Sequence, residues 1–253
     1  MDWAGISIEI MGFLFLVGVI AGTVDTLAGG GGLITVPALI VSGVPPLAAL
    51  GTNKLQGCMG TATATIMMVR KKKVNLRQIR PLIIAAFMGS VIGSVAVQFI
   101  DASTLSFIIP VVLMIIMVYF IISPKPKPHH TVSENTYQTT VVPGIGFYDG
   151  MFGPGTGSFF ALAGVAGKGL NLIDATAKAK PLNFATNIAS FIVFLIAGQM
   201  VWTVGLLMMA GQAIGAWIGS HLLVHIKPIV IRVLVVVMCS GMLIRYGLSM
   251  GWF

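Results

Sequence analysis

Gly22-Thr-Val-Asp25-Thr-Leu-Ala-Gly29-Gly-Gly31 returns later in the chain as Gly146-Phe-Tyr-Asp149-Gly-Met-Phe-Gly153-Pro-Gly155. Both stretches read G-x-x-D-x-x-x-G-x-G. The chain holds five aspartates in 253 residues, so an Asp and three glycines in the same register twice is a duplication signal. Further anchors follow in the same order. Ala49 and Lys54 match Ala175 and Lys180, Leu55-Gln56 matches Leu182-Asn183 with a one-residue shift, and Gly89/Gly93 matches Gly211/Gly215.

Composition says what kind of unit is duplicated. Hydrophobic residues make up 57% of the chain and charged residues 9%, against roughly a quarter charged in a soluble domain. So few charges cannot coat a globule, and the surface must face hydrocarbon. A lipid-embedded backbone can satisfy its polar groups only as helices or a closed barrel. Stretches such as Pro81 to Ile100 and Phe107 to Ile122 run apolar without the alternation a barrel strand needs. The expected fold is therefore an all-α integral membrane protein.

Apolar runs fall at about 6–28, 33–50, 55–70, 81–100, 104–122, 141–166, 181–198, 201–225 and 229–249. At roughly 20 residues per span, the chain has room for about eight transmembrane helices, as two homologous four-helix repeats. Residues 1–123 form the first, 141–253 the second, and the polar, Pro-rich stretch 124–140 links them. The run from Leu33 to Ala49 carries Pro37, Gly43, Pro45 and Pro46 and reads as a broken or re-entrant element. The first run lacks a basic leader and a small-residue cleavage site, and reads as a retained helix. Lys71, Lys72, Lys73, Arg77 and Arg80 form the densest basic loop and point to the cytoplasm. Four spans per half would make the repeats parallel with both termini inside. Counting 33–49 as a full span would put the N-terminus outside and could invert them. Both arrangements fit the pattern.

The net charge of +8 is the positive-inside excess of a membrane protein and comes with no nucleic-acid motif. Cys58 and Cys239 are far apart and form neither a disulfide framework nor a zinc motif. His221 and His225 have metal-ligand spacing, but no carboxylate or thiol clusters with them, so they read as interfacial. Trp202, Trp217 and Trp252 read as interface anchors. No Gly-Lys-Ser/Thr follows the glycine run, so ATP is not implied. No metal and no cofactor is expected.

Charge inside a span is costly and marks a functional candidate. Asp25, Lys54, Asp149, Lys178 and Lys180 lie within or beside apolar runs. The run Gly29, Gly30, Gly31 and Gly32, and its counterpart Gly153 and Gly155, can turn sharply and bare backbone N–H groups. Each break precedes an apolar helix, near Leu33 and near Ser158, and helix starts favour negative charge. Interrupted helices of this kind hold anionic substrates in transporters. The candidate anion contacts are these six glycines with Lys54 and Lys180, the amides of Asn53, Gln56, Asn183 and Asn187, and the Thr52 hydroxyl. Asp25 and Asp149 could balance the lysines, carry a coupling proton, or cap the helix that follows. Gly89/Gly93 and Gly211/Gly215/Gly219 read as close-packing faces.

At these residues the chain resembles the sulfite exporter TauE/SafE family of membrane permeases, in particular its branch of uncharacterised bacterial transporters. The resemblance rests on Ala21–Gly32, Gly51-Thr-Asn-Lys-Leu-Gln56, Gly146–Gly155 and Ala177-Lys-Ala-Lys-Pro-Leu-Asn183, and runs through essentially the whole chain. It implies an eight-helix unit made by duplication, and transport of sulfite, an organosulfonate or a related small anion across the bacterial inner membrane. A passive anion channel is the nearest alternative, and a membrane-embedded enzyme a more distant one, since no nucleophile–base set recurs at the duplicated positions. Proton or sodium coupling, oligomer formation, and the direction of transport are left open by the residues.

Overall fold

The computed structural model describes residues 7–122 and 132–222, together with Val237, Ser240, Ile244 and Leu248. The rest of the last apolar run, the linker through Thr131, and Cys239, His225 and Trp252 lie outside the described residues. The described residues are helical, with no strand among them. In order they are α1 (Ile8–Ala28), α2 (Gly32–Val41), α3 (Pro46–Arg70), α4 (Arg80–Val97) and α5 (Ala102–Ile122). There follow α6 (Glu134–Thr136), a π-helical turn (Tyr137–Val141), α7 (Val142–Met151), α8 (Thr156–Lys168), α9 (Leu172–Ile196) and α10 (Trp202–Leu222).

Four of these, α1, α4, α9 and α10, are long and apolar enough to cross a membrane. Helix α4 shows how such a helix is built. Its outward side carries Ile84, Met88, Ile92 and Val95, all largely exposed, and its inward side carries Ala86, Gly89, Ser90, Gly93 and Ser94, all buried. Large apolar groups face out and small or polar ones face in, the inverse of a soluble helix. That pattern suits lipid outside and close helix packing inside.

Two helix pairs dominate the packing, α1 against α10 and α4 against α7. Both are glycine faces. A Cβ at Gly215 would lie 2.0 Å from the Val19 carbonyl oxygen, and one at Gly18 would lie 2.8 Å from that of Met208. On the other pair, a Cβ at Gly93 would lie 2.0 Å from the Phe147 carbonyl oxygen, and one at Gly146 would lie 2.4 Å from that of Ala86. The glycines thus let backbones touch where any side chain would hold them apart. Helices α3 and α9 pack on each other between these pairs.

The two breaks appear where the glycines stand. Helix α1 ends at Gly29 with φ +76°, and Gly155, φ +83°, precedes α8. The region 33–49 takes in most of the ten-residue α2, which contains Pro37, then a turn and the first residues of α3. The run expected over 141–166 is likewise divided into α7 and α8.

Two boundaries differ from the sequence expectation. The apolar runs 33–50 and 55–70 leave residues 51–54 between them, yet these lie inside the 25-residue α3, which opens on Pro46 in the first turn. Its polar side chains are tolerated because all of Thr52, Asn53, Lys54 and Gln56 point inward. Helix also begins at Glu134, within the stretch read as linker, where Ser133 caps it by accepting from the Thr136 N–H at 3.1 Å.

Smaller devices fix the ends. Lys71 of the basic loop donates to the Ser220 carbonyl at 2.6 Å, a cation at the last turn of α10. Asp101 caps α5, accepting from the Ser103 hydroxyl and from Thr104 N–H and Oγ1 at 2.8 and 2.7 Å. These donors hold its carboxyl well below the usual carboxylate range. His221 is exposed, with Nδ1 2.8 Å from the Trp217 carbonyl oxygen and its ring 4.7 Å from the indole.

Candidate functional site

The chain crosses itself at the two breaks. A Cβ on Gly29 would lie 2.2 Å from the Gly157 carbonyl carbon, and one on Gly157 would lie 2.5 Å from Gly29 Cα. Ser158 Oγ donates to the Ala28 carbonyl across the same contact. A Cβ on Gly32 would come within 3.0 Å of Pro154 Cα. The starts of α2 and α8 therefore meet in the interior, with no side chain between them.

Each aspartate stands one turn before its break and reaches a polar group at the start of the helix beyond it. Asp25 Oδ1 accepts from the Gly31 N–H at 3.2 Å, and Asp149 Oδ1 accepts from the Thr156 hydroxyl at 2.8 Å. A carboxylate beside a helix start is electrostatically favourable. Asp149 keeps a second oxygen, Oδ2, that is buried and has no hydrogen-bond partner among the described residues.

The lysines come from α3 and α9. Each is 1% exposed, and they rank with Phe160 and Phe194 among the largest fully buried side chains. They are therefore internal groups and do not snorkel to an interface. Lys54 Nζ lies 2.8 Å from Asp149 Oδ1 and also donates to the Asp149 carbonyl. Lys180 Nζ donates to the Asp25 carbonyl. The pairing runs crosswise, with each lysine reaching the aspartate segment of the other half of the chain. Gly153, φ +94°, makes room for this, since a Cβ there would lie 2.9 Å from Lys54 Nζ.

Between the breaks and the lysine helices lies a polar cavity of about 20 Å³, room for a water-sized group. Asp25, Asp149, Gly31, Gly32 and Gly153 line one side of it. On α3 the lining is Asn53, Gly57 and Thr61, and on α9 it is Asn183 and Asn187. Positions 57 and 61 follow Lys54 by three and seven residues, and 183 and 187 follow Lys180 by the same steps. Such spacing puts them on one helix face. Gln212 of α10 completes the wall.

Of the sequence candidates, Asp25, Gly31, Gly32, Asn53, Asp149, Gly153, Asn183 and Asn187 meet at this cavity. The ammonium groups of Lys54 and Lys180 stand behind Asp149 and beside the Asp25 carbonyl, off the lining itself. Gly29 and Gly155 shape the breaks, and Gly30 is buried in the first of them. Thr52 lies elsewhere: its hydroxyl donates to the Ala48 carbonyl at 2.7 Å and accepts the Val201 N–H at 2.9 Å, at the start of α10. Gln56 braces the site from behind, donating to Asn53 Oδ1 at 3.2 Å, which also receives the Thr35 hydroxyl at 2.6 Å. Lys178 is half-buried and off the lining. Gly57, Thr61 and Gln212 were not among the candidates. The step of three and seven beyond each matched lysine was the available signal for the first two.

Among the described residues, no three His, Cys, Asp or Glu side chains gather as metal ligands would. The sulfite exporter TauE/SafE family matches residues 14–246. A probable membrane transporter protein of Haemophilus influenzae is 43% identical over 98% of this chain and 98% of its own length. The probable membrane transporter protein ORF9 of a Sinorhizobium species is 41% identical over 95% of this chain and 93% of its own. Probable membrane transporter protein YfcA of Escherichia coli K12 is 40% identical over 94% and 89%. No solved structure matches the chain.

Proposed function

The chain belongs to the sulfite exporter TauE/SafE family and is a multi-pass membrane transporter, and from that premise we propose that it is a secondary carrier of a small anion. Sulfite, an organosulfonate, or a related sulfur-containing or carboxylate anion is the proposed cargo. The observation that carries this reading is the convergence of two glycine breaks and two aspartates on one polar cavity, with a buried lysine held behind each aspartate segment. Helix starts and ammonium groups supply positive potential, and the amides of Asn53 and Asn183 supply neutral hydrogen bonds.

Cavity size favours a carrier over a channel. Room for one water does not hold an oxyanion, so cargo enters only when the site opens, and the Gly29–Gly157 contact closes the space between the breaks. Alternating access by movement of one half against the other is the cycle that transporters with such interrupted helices use. In this cycle Asp149 holds Lys54 while the site is empty. Loss of that contact, on protonation of Asp149 or on arrival of an anion, turns the ammonium past Gly153 towards the cargo. A four-helix duplication with eight spans in all is part of the same proposal, and the crosswise lysine contacts and the matched glycine faces support it.

Detergent-purified protein should gain thermal stability with sodium sulfite, thiosulfate, an alkanesulfonate or a small carboxylate, and liposomes holding it should take up the stabilising anion saturably. A protein stabilised by none of these anions would remove the anion reading. Unsaturable flux at channel rates would replace the carrier with a pore.

A further inference from the structure

We infer that Gln212 is a cargo-contacting and specificity-determining residue, whose carboxamide donates to an oxygen of the transported oxyanion. The inference rests on the anion reading above and adds a residue to it from a helix, α10, that carries none of the duplicated Asp or Lys positions.

Three observations converge on this side chain. Gln212 lines the cavity and is 3% exposed. It lies in a slot made by glycines on two other helices: a Cβ at Gly60 of α3 would lie 2.5 Å from Gln212 Oε1, and one at Gly22 of α1 would lie 3.0 Å from it. No group among the described residues hydrogen-bonds the amide, although buried side-chain amides nearly always find partners. With neither end tied down, the amide can turn its NH₂ to whatever occupies the cavity.

The matched position in the first half shows what a purely structural group looks like there. Ser90 follows Gly89 as Gln212 follows Gly211. Its hydroxyl is fully engaged, donating to the Thr186 carbonyl at 2.7 Å with Ser190 Oγ also at 2.7 Å. Of the nearby amides, Asn187 donates to the Asn183 carbonyl at 2.8 Å, so its NH₂ is already in use. Gln212 is longer than Ser90, reaches the cavity, and stays unpaired.

A carboxamide offers two N–H donors without the desolvation cost of a charge. It suits an anion whose charge is spread over oxygens and gives little advantage to a halide. The test uses wild type, Gln212→Leu and Gln212→Glu, purified intact, with binding of sodium sulfite, methanesulfonate, acetate and chloride followed by calorimetry and melting temperature. Gln212→Leu should melt no lower than wild type without ligand, because an unpaired buried amide is removed. It should bind the preferred oxyanion about tenfold more weakly, as loss of a hydrogen bond to a charged group predicts. Gln212→Glu, of the same shape but without donors and with added negative charge, should bind more weakly still. Oxyanion affinity in Gln212→Leu within about twofold of wild type would overturn the inference, and a lowered melting temperature with unchanged affinity would assign Gln212 to packing. Wild type that binds none of the oxyanions would instead bring down the anion reading itself.

Discussion

The two buried lysines occupy matched positions and differ in what holds them. Lys54 has a carboxylate at 2.8 Å and a carbonyl from the same residue. Lys180 has the Asp25 carbonyl, while the Asp25 carboxylate turns away to the Gly31 N–H, and among the described residues no carboxylate lies within 4.0 Å of its ammonium. Asp149 is buried and Asp25 half-buried. One half therefore presents a closed ion pair and the other an open one. The difference teaches that the lysine–aspartate contact is not needed to hold the helices together, since the Lys180 side packs without it. A contact that can be made on one side and absent on the other is suited to switching.

Substitutions can break that comparison. The largest effect is expected from Lys54→Gln, which strands Asp149 in the dry interior. Removing one partner of a buried pair costs about 3–5 kcal/mol, visible as a large drop in melting temperature and yield. The double variant Lys54→Gln/Asp149→Asn should recover much of that stability and still fail to transport. Transport by the double variant would remove the pair from the mechanism.

The two breaks sharpen the same contrast. Gly29→Ala places a Cβ against the Gly157 backbone at 2.2 Å and demands φ +76° of an alanine. It should cost well above the ~1 kcal/mol of the conformation alone, and urea or thermal unfolding would show it. Gly153→Ala demands a similar conformation but meets the movable end of Lys54 at 2.9 Å. Its stability loss should be smaller and its loss of transport comparable. Equal stability losses would mean that the Lys54 ammonium has no freedom to move.

Lys180→Gln should show the smallest stability change, about 1–3 kcal/mol, because it removes a hydrogen bond and no ion pair. If its melting temperature fell as far as that of Lys54→Gln, Asp25 would have to pair with Lys180 in the membrane, and the contrast between the halves would be lost.

Much of this was legible in the sequence, for reasons that can be stated. A shortage of charge forces a membrane setting, and repeated Asp and Gly in fixed register identify the breaks, because few other residues can form them. The lysines stood out because charge within an apolar run is rare. Helix α3 was harder to read: its polar residues mimic a loop until the partners that bury them are in place. Thr52 and Gln56 looked equivalent to Asn53, yet one anchors Val201 and the other braces Asn53 from behind. Gln212 gave no local signal, since its importance comes from Gly22 and Gly60, which lie on two other helices. Side-chain direction within a helix is local, but what waits at the end of that direction is set by long-range packing.

The interlocked glycine faces have a consequence for biogenesis. Helix α1 finds its main neighbour in α10, and α4 finds its own in α7, so each early segment emerges from the ribosome long before the surface that will cover it. Until translation reaches residue 222, the narrow flank of α1 must be shielded by lipid or by an insertion factor. Expressed separately, neither the stretch before the linker nor the stretch after it would mature, whereas the two made together in one cell should find each other and complement.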